Sequence, residues 1–543
     1  MKDRFIVAAF GAAMLLGVVV LPKMAGAQAA AAHDSAADFK TSDPCLTCHQ
    51  TVKTVKGDDL PLGLEWTGSA MANSARDPYW QGSVRREVTD HAQIGAAIEN
   101  ECASCHMPLD FQRNKENGKL TEVLKRLPFR AGDDAAADGV SCTVCHQILA
   151  TGLGTASSYS GNYAVAGTDV HPRPLYGPYA PDPDGGANLH EAAAEYTILE
   201  GAQMRDAAMC GSCHTLFTTS YGPDGKEIGK LPEQMPYIEW LHSDYKDKQS
   251  CQQCHMPAVD GQAEIAIVAS QPRDGVRRHT FSGANFLLID MLSAHSTELG
   301  VAAIPATLEA ETARTRTMLE TQSARLTVSS PKAAKGVLKF TVRVENLTGH
   351  KLPTAFPSRR AWLHVTATAA DGKVVFESGK LNADGSIAGN ANDEDAARYS
   401  PHYARITKAD EVEIFEPILG DSTGHVTTGL LSATQYLKDN RILPTGFDKK
   451  TAPPEIAVHG EALEDASFKA GESTTEYAVS SGAAAGPFKV TAELEYQPVG
   501  YRWAQNLAVY KSAEPQRFVN YYGQAAGHTA AVLAKGQAST AGQ

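Results

Sequence analysis

Ten cysteines fall in five local pairs, and each pair is followed at once by a histidine. The stretches are "CLTCH" (Cys45, Cys48, His49), "CASCH" (Cys102, Cys105, His106), "CTVCH" (Cys142, Cys145, His146), "CGSCH" (Cys210, Cys213, His214) and "CQQCH" (Cys251, Cys254, His255). No cysteine is left over. C-x-x-C-H is the attachment site of c-type haem: two thiols add to the vinyl groups, and the adjacent histidine reaches the iron. Redox dithiols and zinc knuckles also use C-x-x-C. A zinc site does not need histidine at the fifth position every time, and a disulfide framework does not repeat one spacing five times. The sequence therefore predicts five covalently attached haem c groups.

The N-terminus fits such a cofactor, because disulfide-permissive export is where these thiols are loaded. "MKDR" is a basic start, "FIVAAFGAAMLLGVVVL" an apolar stretch, and "AGA" at Ala25–Ala27 a small-residue cleavage site. Residues 1–27 read as a signal peptide, with the mature chain starting at Gln28. No later stretch approaches membrane-spanning length. The expected location is the periplasm, and an extracellular or outer-membrane-associated site is compatible. The net charge of −13 argues against nucleic acid as a partner.

All five motifs lie before residue 260, at starts separated by 57, 40, 68 and 41 residues, which argues against a tandem repeat. Between them loops dominate, as in "GTASSYSGNYAVAGTD" (154–169) and "GPYAPDPDGG" (177–186). Helical patches are short, as in "EVTDHAQIGAAIENECASCH", where Val88, Ile94 and Ile98 share a face. Near residue 300 the composition changes. "PATLEAETARTRTMLETQSARL" opens with Pro and reads as a connecting helix over 301–326. "VLKFTVRVEN", "AWLHVTATA" and "FKVTAELEY" then alternate with a period of two. The expected architecture is an α+β multidomain chain. A loop-rich, haem-packed cytochrome domain with short helices spans 28–300, an antiparallel β-sandwich 327–500, and a C-terminal helical tail 501–543.

The five C-x-x-C-H sites, followed by "RRHTFSGANF" (277–286) and "NLTGHKLPTAFPSRRAWLHV" (346–365), resemble exported multihaem c-type cytochromes with a C-terminal β-sandwich. "LPEQMPYIEWLHSDYKDKQSCQQCHMP" adds to the resemblance, which covers essentially the whole mature chain. A distantly related lineage includes cytochrome c nitrite reductases and hydroxylamine oxidoreductases. The resemblance implies electron transfer through close-packed haems, mostly with histidine on both iron faces. Nitrite reductases of the usual type carry one C-x-x-C-K site, and none is present here.

An iron with one histidine needs a second axial ligand if it only moves electrons, whereas an open face admits a small substrate. Five of the other histidines are candidates for the second face. His91 stands eleven residues before Cys102, His190 lies in a loop-rich stretch, and His242 stands nine residues before Cys251. His279 is in "RRHTFSGANF" and His350 in the Gly/Pro-punctuated loop "NLTGHKLPT", and the resemblance supports His242, His279 and His350. Met71 is a thioether alternative, and Trp66, Tyr79 and Trp80 read as haem-packing aromatics. His171, His402 and His364 read as surface, later-domain and mid-strand residues. His33 and His528 lie near the ends. Where this family often has a histidine before the fourth motif, Gln203 stands here, so one haem is a candidate for an open or Met-ligated iron.

The expected function is an exported pentahaem electron carrier working with redox partner proteins or an external acceptor. The alternative is an oxidoreductase acting on nitrite, hydroxylamine or a similar small substrate at one five-coordinate haem. That pocket would need polar donors, for which "RPLYGPY" (173–179) and Arg277–Arg278 are candidates. An oligomer or filament is compatible with either.

Overall fold

A computed structural model describes residues 38–182 and 186–540. The signal-peptide stretch, its cleavage site and His33 lie outside the described residues. The first part is built of short helices joined by long loops: α1 (Asp43–His49), α2 (Pro78–Asp90), α3 (Gly95–His106), α4 (Cys142–His146) and α5 (Ala207–Gly211). A hairpin of β1 (Leu216–Tyr221) and β2 (Glu227–Gln234) follows, then α6 (Pro236–Leu241) and α7 (Cys251–His255). The expected helical patch around Val88 and Ile98 is broken at His91, where α2 ends and a short 3₁₀ turn leads into α3. Apolar burial in this part is divided into small groups, such as Phe39, Leu109, Val144, Ile148 and Tyr163. None is large enough to be a conventional core.

Two helices bridge to the second part. α8 (Phe286–Ala294) is apolar on most sides, and α9 (Pro305–Gln322) starts with Pro at its first turn. α9 buries Leu308, Glu311, Thr315 and Leu319, one stripe of its surface. The predicted connecting helix is therefore present, but its last residues belong to a strand, β3 (Ala324–Val328).

The strands that follow are β4 (Lys332–Ala334), β5 (Val337–Asn346), β6 (Arg360–Thr368), β7 (Val374–Ser378), β8 (Arg405–Ile406), β9 (Ile414–Phe415), β10 (Pro417–Asp421), β11 (Val426–Thr427), β12 (Ala433–Asp439), β13 (Glu472–Ser480) and β14 (Lys489–Gln497). They close with α10 (Tyr501–Leu507), α11 (Ala513–Ala525) and β15 (Ala531–Ser539). One five-stranded sheet runs β4-β5-β13-β8 with β3 also on β5; a second runs β7-β6-β14-β15 with β9 on β6. A third, β11-β10-β12, has three strands. In β5, Leu338, Phe340, Val342 and Val344 are buried while Lys339 and Arg343 face out, as a half-buried strand requires. These side chains share one apolar cluster with Leu363 and Val365 of β6 and Val490, Ala492 and Leu494 of β14. The two five-stranded sheets thus bury a common interior.

The C-terminal tail departs from its predicted helical form. It is helical to residue 525, but β15 then pairs antiparallel with β14 along the second sheet. Its sequence, "AVLAKGQAS", is made of small residues with only Leu533 and Ala531 turned inward. Such a strand is held by ladder hydrogen bonds to β14, and its alternation is too weak to be read beforehand.

A buried ionic contact fixes the loops beneath the sheets. His402 Nδ1 meets Glu413 Oε1 at 2.6 Å and Nε2 meets Asp465 Oδ2 at 2.9 Å. Burial works against charge on this imidazole, but Glu413 and Asp465 outweigh it and raise the pKa above the ordinary value. A group whose pKa is raised by folding contributes stability that is complete below the unfolded pKa, near ~6.5, and is lost as pH rises through the folded value. The thermal unfolding midpoint should therefore fall as pH is taken from about 6 to about 9, and His402→Gln should flatten that slope in a calorimetric series.

Candidate functional site

Four of the C-x-x-C-H stretches are a single helical turn or the end of a helix, and in the fourth along the chain the helix ends at Gly211 and a hydrogen-bonded turn carries Cys213 and His214, the His214 amide donating to the Cys210 carbonyl at 2.9 Å. One face of one turn then presents both thiols and the imidazole. Local caps hold these turns. Ser141 accepts from the Val144 amide at 3.3 Å, Asp206 accepts from the Ala208 amide at 2.9 Å, and Ser250 with Gln253 forms a capping box.

All ten cysteines and all five motif histidines line one cavity of ≈ 1500 Å³. Sites for one small molecule are on the order of 300–1,000 Å³, so this cavity exceeds a single-ligand pocket. Motifs far apart in sequence touch through sulfur: Cys45 hydrogen-bonds Cys142, Cys105 hydrogen-bonds Cys213, and Cys210 hydrogen-bonds Cys251. The fourth motif therefore touches both the second and the fifth.

The imidazoles are oriented by backbone carbonyls. Nδ1–H of His49 donates to the Ile265 carbonyl (2.6 Å), that of His106 to Ser74 (3.2 Å), that of His146 to Tyr176 (2.7 Å) and that of His255 to Ser282 (2.8 Å). This arrangement leaves Nε2 free as a ligand, with its tautomer fixed. Burial pushes the His106 and His214 imidazoles down to about 4, and lowers His146 and His255. All four are neutral at pH 7, the form that binds metals.

Three further histidines line the cavity among the described residues: His190, His279 and His350. The His190 ring centroid lies 6.3 Å from that of His49, and the His350 centroid lies 6.5 Å from that of His255 with planes 14° apart. Two imidazoles bound from opposite sides to one metal, at about 2 Å each, place their centroids roughly 6–7 Å apart. Both separations meet that condition, so these residues fit an iron-centred macrocycle. His279 Nδ1–H donates to the Arg277 carbonyl at 3.1 Å, and its pKa falls to about 4 through burial first and then the field of His146.

The other sequence candidates are placed differently. His242 is exposed at the end of α6, its Nδ1–H donating to the Ile238 carbonyl at 2.9 Å. His91 is buried outside the cavity lining, 3.3 Å from Ser432 Oγ. Met71, Trp66, Tyr79 and Trp80 all line the cavity, and Trp80 stacks on His106 at 4.5 Å. Gln203 is buried and donates to the Ile148 carbonyl at 3.1 Å. Of the arginines considered as donors, Arg277 lines the cavity but donates to the Met256 carbonyl at 3.0 Å. Arg173 is buried in ion pairs with Asp38 and Glu116, and Arg278 pairs with Glu65.

Sequence reasoning did not single out Arg359, which lines the cavity and whose charge helps to depress His214, His255 and His350. Nor did it find the acidic wall of Glu87, Glu101 and Glu233, of which buried Glu233 is raised to about 7. Tyr163 places a buried hydroxyl there as well. The signal for Arg359 was on the page, in "PSRRAWLHV".

The loop carrying His350 is tightly held. Its Nδ1–H donates to the Lys351 carbonyl at 2.9 Å, and burial pushes the ring to about 4. Asn346 Nδ2 donates to the His350 carbonyl at 2.8 Å. Gly349 has an ordinary negative φ; its role is space, since a Cβ there would stand 3.2 Å from Trp240 Cδ1 and Tyr245 Cβ. Glu239 of α6 accepts from the Lys351 amide at 3.1 Å and from Thr354 Oγ1. Glu239 also pairs with Arg441 at 3.0 Å, while Asp439 pairs with both Lys351 and Arg441 at 2.7 Å. Burial alone would raise Asp439, but the two cations outweigh it and hold its carboxyl well below the usual range.

No protein-family model matches the chain, and no curated protein matches it. Among solved structures the chain is similar to a penta-heme cytochrome c552 from Thermochromatium tepidum, with 16% identity and a TM-score of 0.52. The match covers 93% of this chain and 99% of that one. The chain thus has the fold of a multihaem cytochrome, with mixed helix and strand.

The Glu239 contact joins α6 to the loop after β5 across 112 residues of sequence. Removing one member of a buried ionic cluster leaves the others uncompensated. Glu239→Ala should cost about 3–5 kcal/mol of folding stability in chemical denaturation, whereas Glu345→Ala, which removes only the partly exposed pairs of β5 with Arg325 and Arg343, should cost below about 1 kcal/mol.

Proposed function

We propose that the protein is an exported multihaem c-type cytochrome that carries electrons through five covalently attached haems. The observation that carries this reading is the convergence of all five C-x-x-C-H stretches on one cavity, with imidazoles facing His49 and His255 at centroid separations of 6.3 and 6.5 Å. Haem, when bound, supplies reversible one-electron chemistry and a large apolar surface. The chain's own residues do the rest. Cys45 and Cys48, and their counterparts in the other four motifs, tether the groups, and the five motif histidines each offer a carbonyl-oriented or desolvated imidazole. His190 and His350 close the opposite faces at His49 and His255, and His279 is the third cavity histidine available to close another. Trp66, Tyr79 and Trp80 exclude water from the cavity, which keeps reorganisation small during electron exchange. The sulfur contacts between motifs support close spacing of successive groups.

The sheets after residue 327 form, in this reading, a β-sandwich domain that delivers His350 to the 28–300 haem domain. The work is done in the periplasm, with redox partner proteins or an external acceptor at the cell envelope. Among the described residues no helix is long and apolar enough to cross a membrane. The acidic balance of the chain disfavours nucleic acid.

A second reading is supported by one specific observation. Only three histidines beyond the motifs line the cavity among the described residues; His190 and His350 lie at ligand-pair separation from His49 and His255, which leaves His279 alone for His106, His146 and His214. An iron with an open face at one of these positions would make the protein an oxidoreductase for hydroxylamine, nitrite or a similar small substrate. His91, His242 and Met71 remain the candidates to close those faces.

The test is spectroscopic. The carrier reading expects low-spin spectra that do not change with carbon monoxide or hydroxylamine, and one ligand-binding high-spin haem decides for the oxidoreductase. In either case His350→Ala should convert one further haem to a high-spin, carbon-monoxide-binding form while the pyridine haemochrome count stays at five per chain. An unchanged spin state in that variant removes His350 from the ligand set.

A further inference from the structure

A second candidate site lies on the outer face of the second sheet, apart from the cavity. His364 of β6 is directly opposite Glu493 of β14 in the antiparallel register. Glu495 follows two residues later and so points to the same face. His364 Nδ1 lies 3.1 Å from Glu495 Oε1 and 3.8 Å from Glu493 Oε2. Ligand atoms from these three residues all lie within 4.8 Å of one another. In a tetrahedral site with metal–ligand bonds of about 2.0–2.1 Å, neighbouring ligand atoms stand about 3.3 Å apart. The observed distances bracket that value with no change of strand register.

Partners of these residues complete the arrangement. His364 Nε2 lies 3.2 Å from Glu377 Oε1 of β7, which orients the ring with Nδ1 toward Glu495 and Glu493. Lys535 of β15 holds the other oxygen of Glu493 at 2.7 Å, which leaves Oε2 turned toward His364. Four adjacent strands thus contribute, in order, an orienting carboxylate, an imidazole, two carboxylates and a cation. The site is half-covered, with Glu495 10% and His364 21% exposed, so a water can occupy a fourth position. None of these residues lines the cavity.

We propose that His364, Glu493 and Glu495 form a binding site for one divalent transition-metal ion of the zinc class. One imidazole nitrogen with two carboxylate oxygens suits such an ion and disfavours magnesium or calcium, which take oxygen ligands alone. The ion ties β6 to β14 at the centre of the sheet.

The test uses the haem-loaded protein, washed with a chelator and equilibrated with zinc chloride, with zinc counted per chain by elemental analysis and affinity measured against a chromophoric chelator. The wild type should take up one tight equivalent that the Glu493→Gln/Glu495→Gln double variant lacks. Glu377→Gln should weaken binding by about 10- to 100-fold. Zinc uptake equal in wild type and double variant, or none in either, overturns the proposal and leaves a metal-free ion-pair cluster. If the double variant fails to load haem or fold, anomalous diffraction at the zinc edge from soaked wild-type crystals decides. A peak within bonding distance of His364 Nδ1 supports the site, and its absence there overturns it.

Discussion

Desolvated imidazoles set the terms for the first half of the molecule. Among the described residues eight imidazoles line a single cavity, and burial depresses His106, His146, His190, His214, His255, His279 and His350 so that these are neutral at physiological pH. Burying a polar ring without a partner costs about 1–3 kcal/mol, so each ring must be repaid. Backbone carbonyls repay one nitrogen: Ile265 for His49, Ser74 for His106, Tyr176 for His146, Ser282 for His255 and Lys351 for His350. The other nitrogen is left for a metal. This favours the loop-rich architecture: the carbonyls of Ile265, Ser282 and Lys351 lie outside helices and strands, where no ladder uses them.

The His350 loop shows what it takes to bring such a ring from outside the motif region. A loop at a sheet edge has little stiffness of its own, so its position comes from contacts with α6. Glu239 supplies them: it accepts from the Lys351 amide and from Thr354 Oγ1, and it holds Arg441 by charge. Asp439 then pairs with Arg441 and Lys351, closing a four-member cluster that is balanced in charge. A balanced, fully paired cluster can be buried, whereas an isolated charge cannot. Gly349 admits Trp240 and Tyr245 against the backbone and brings the loop close enough for the cluster to form.

What could be read beforehand follows from the range of the interaction. The C-x-x-C-H stretches were legible because two thiols and a ring on one helical turn are a local requirement. The strands β5, β6 and β14 were legible because alternation is local as well, and α9 announced itself with its proline. His350 stood out through the Gly and Pro around it. Glu239 could not be found, since its role is created by a partner 112 residues away. The sequence placed His91 beside His190, and the resemblance placed His242 beside His279. The fold separates them: His242 ends α6 facing solvent, and His91 packs near Ser432. β15 escaped notice because small residues held by ladder bonds leave little pattern.

The sulfur contacts explain why the irregular motif spacing is compatible with one compact site. The first motif touches the third, the second touches the fourth, and the fourth touches the fifth. Segments that carry neighbouring motifs in sequence are therefore interleaved in space. No stretch between two motifs encloses a complete neighbourhood, so none of them can bury its own cysteines alone. A tandem repeat would do the opposite, with each unit contacting only the next. The fourth motif has the most to lose from any local disturbance, because Cys210 and Cys213 reach different neighbours from the same turn. That turn is also the one where Gln203 stands upstream, buried against the Ile148 carbonyl. The packing that holds the centre of the array is thus supplied by amide and backbone groups at a place where a ligand was expected.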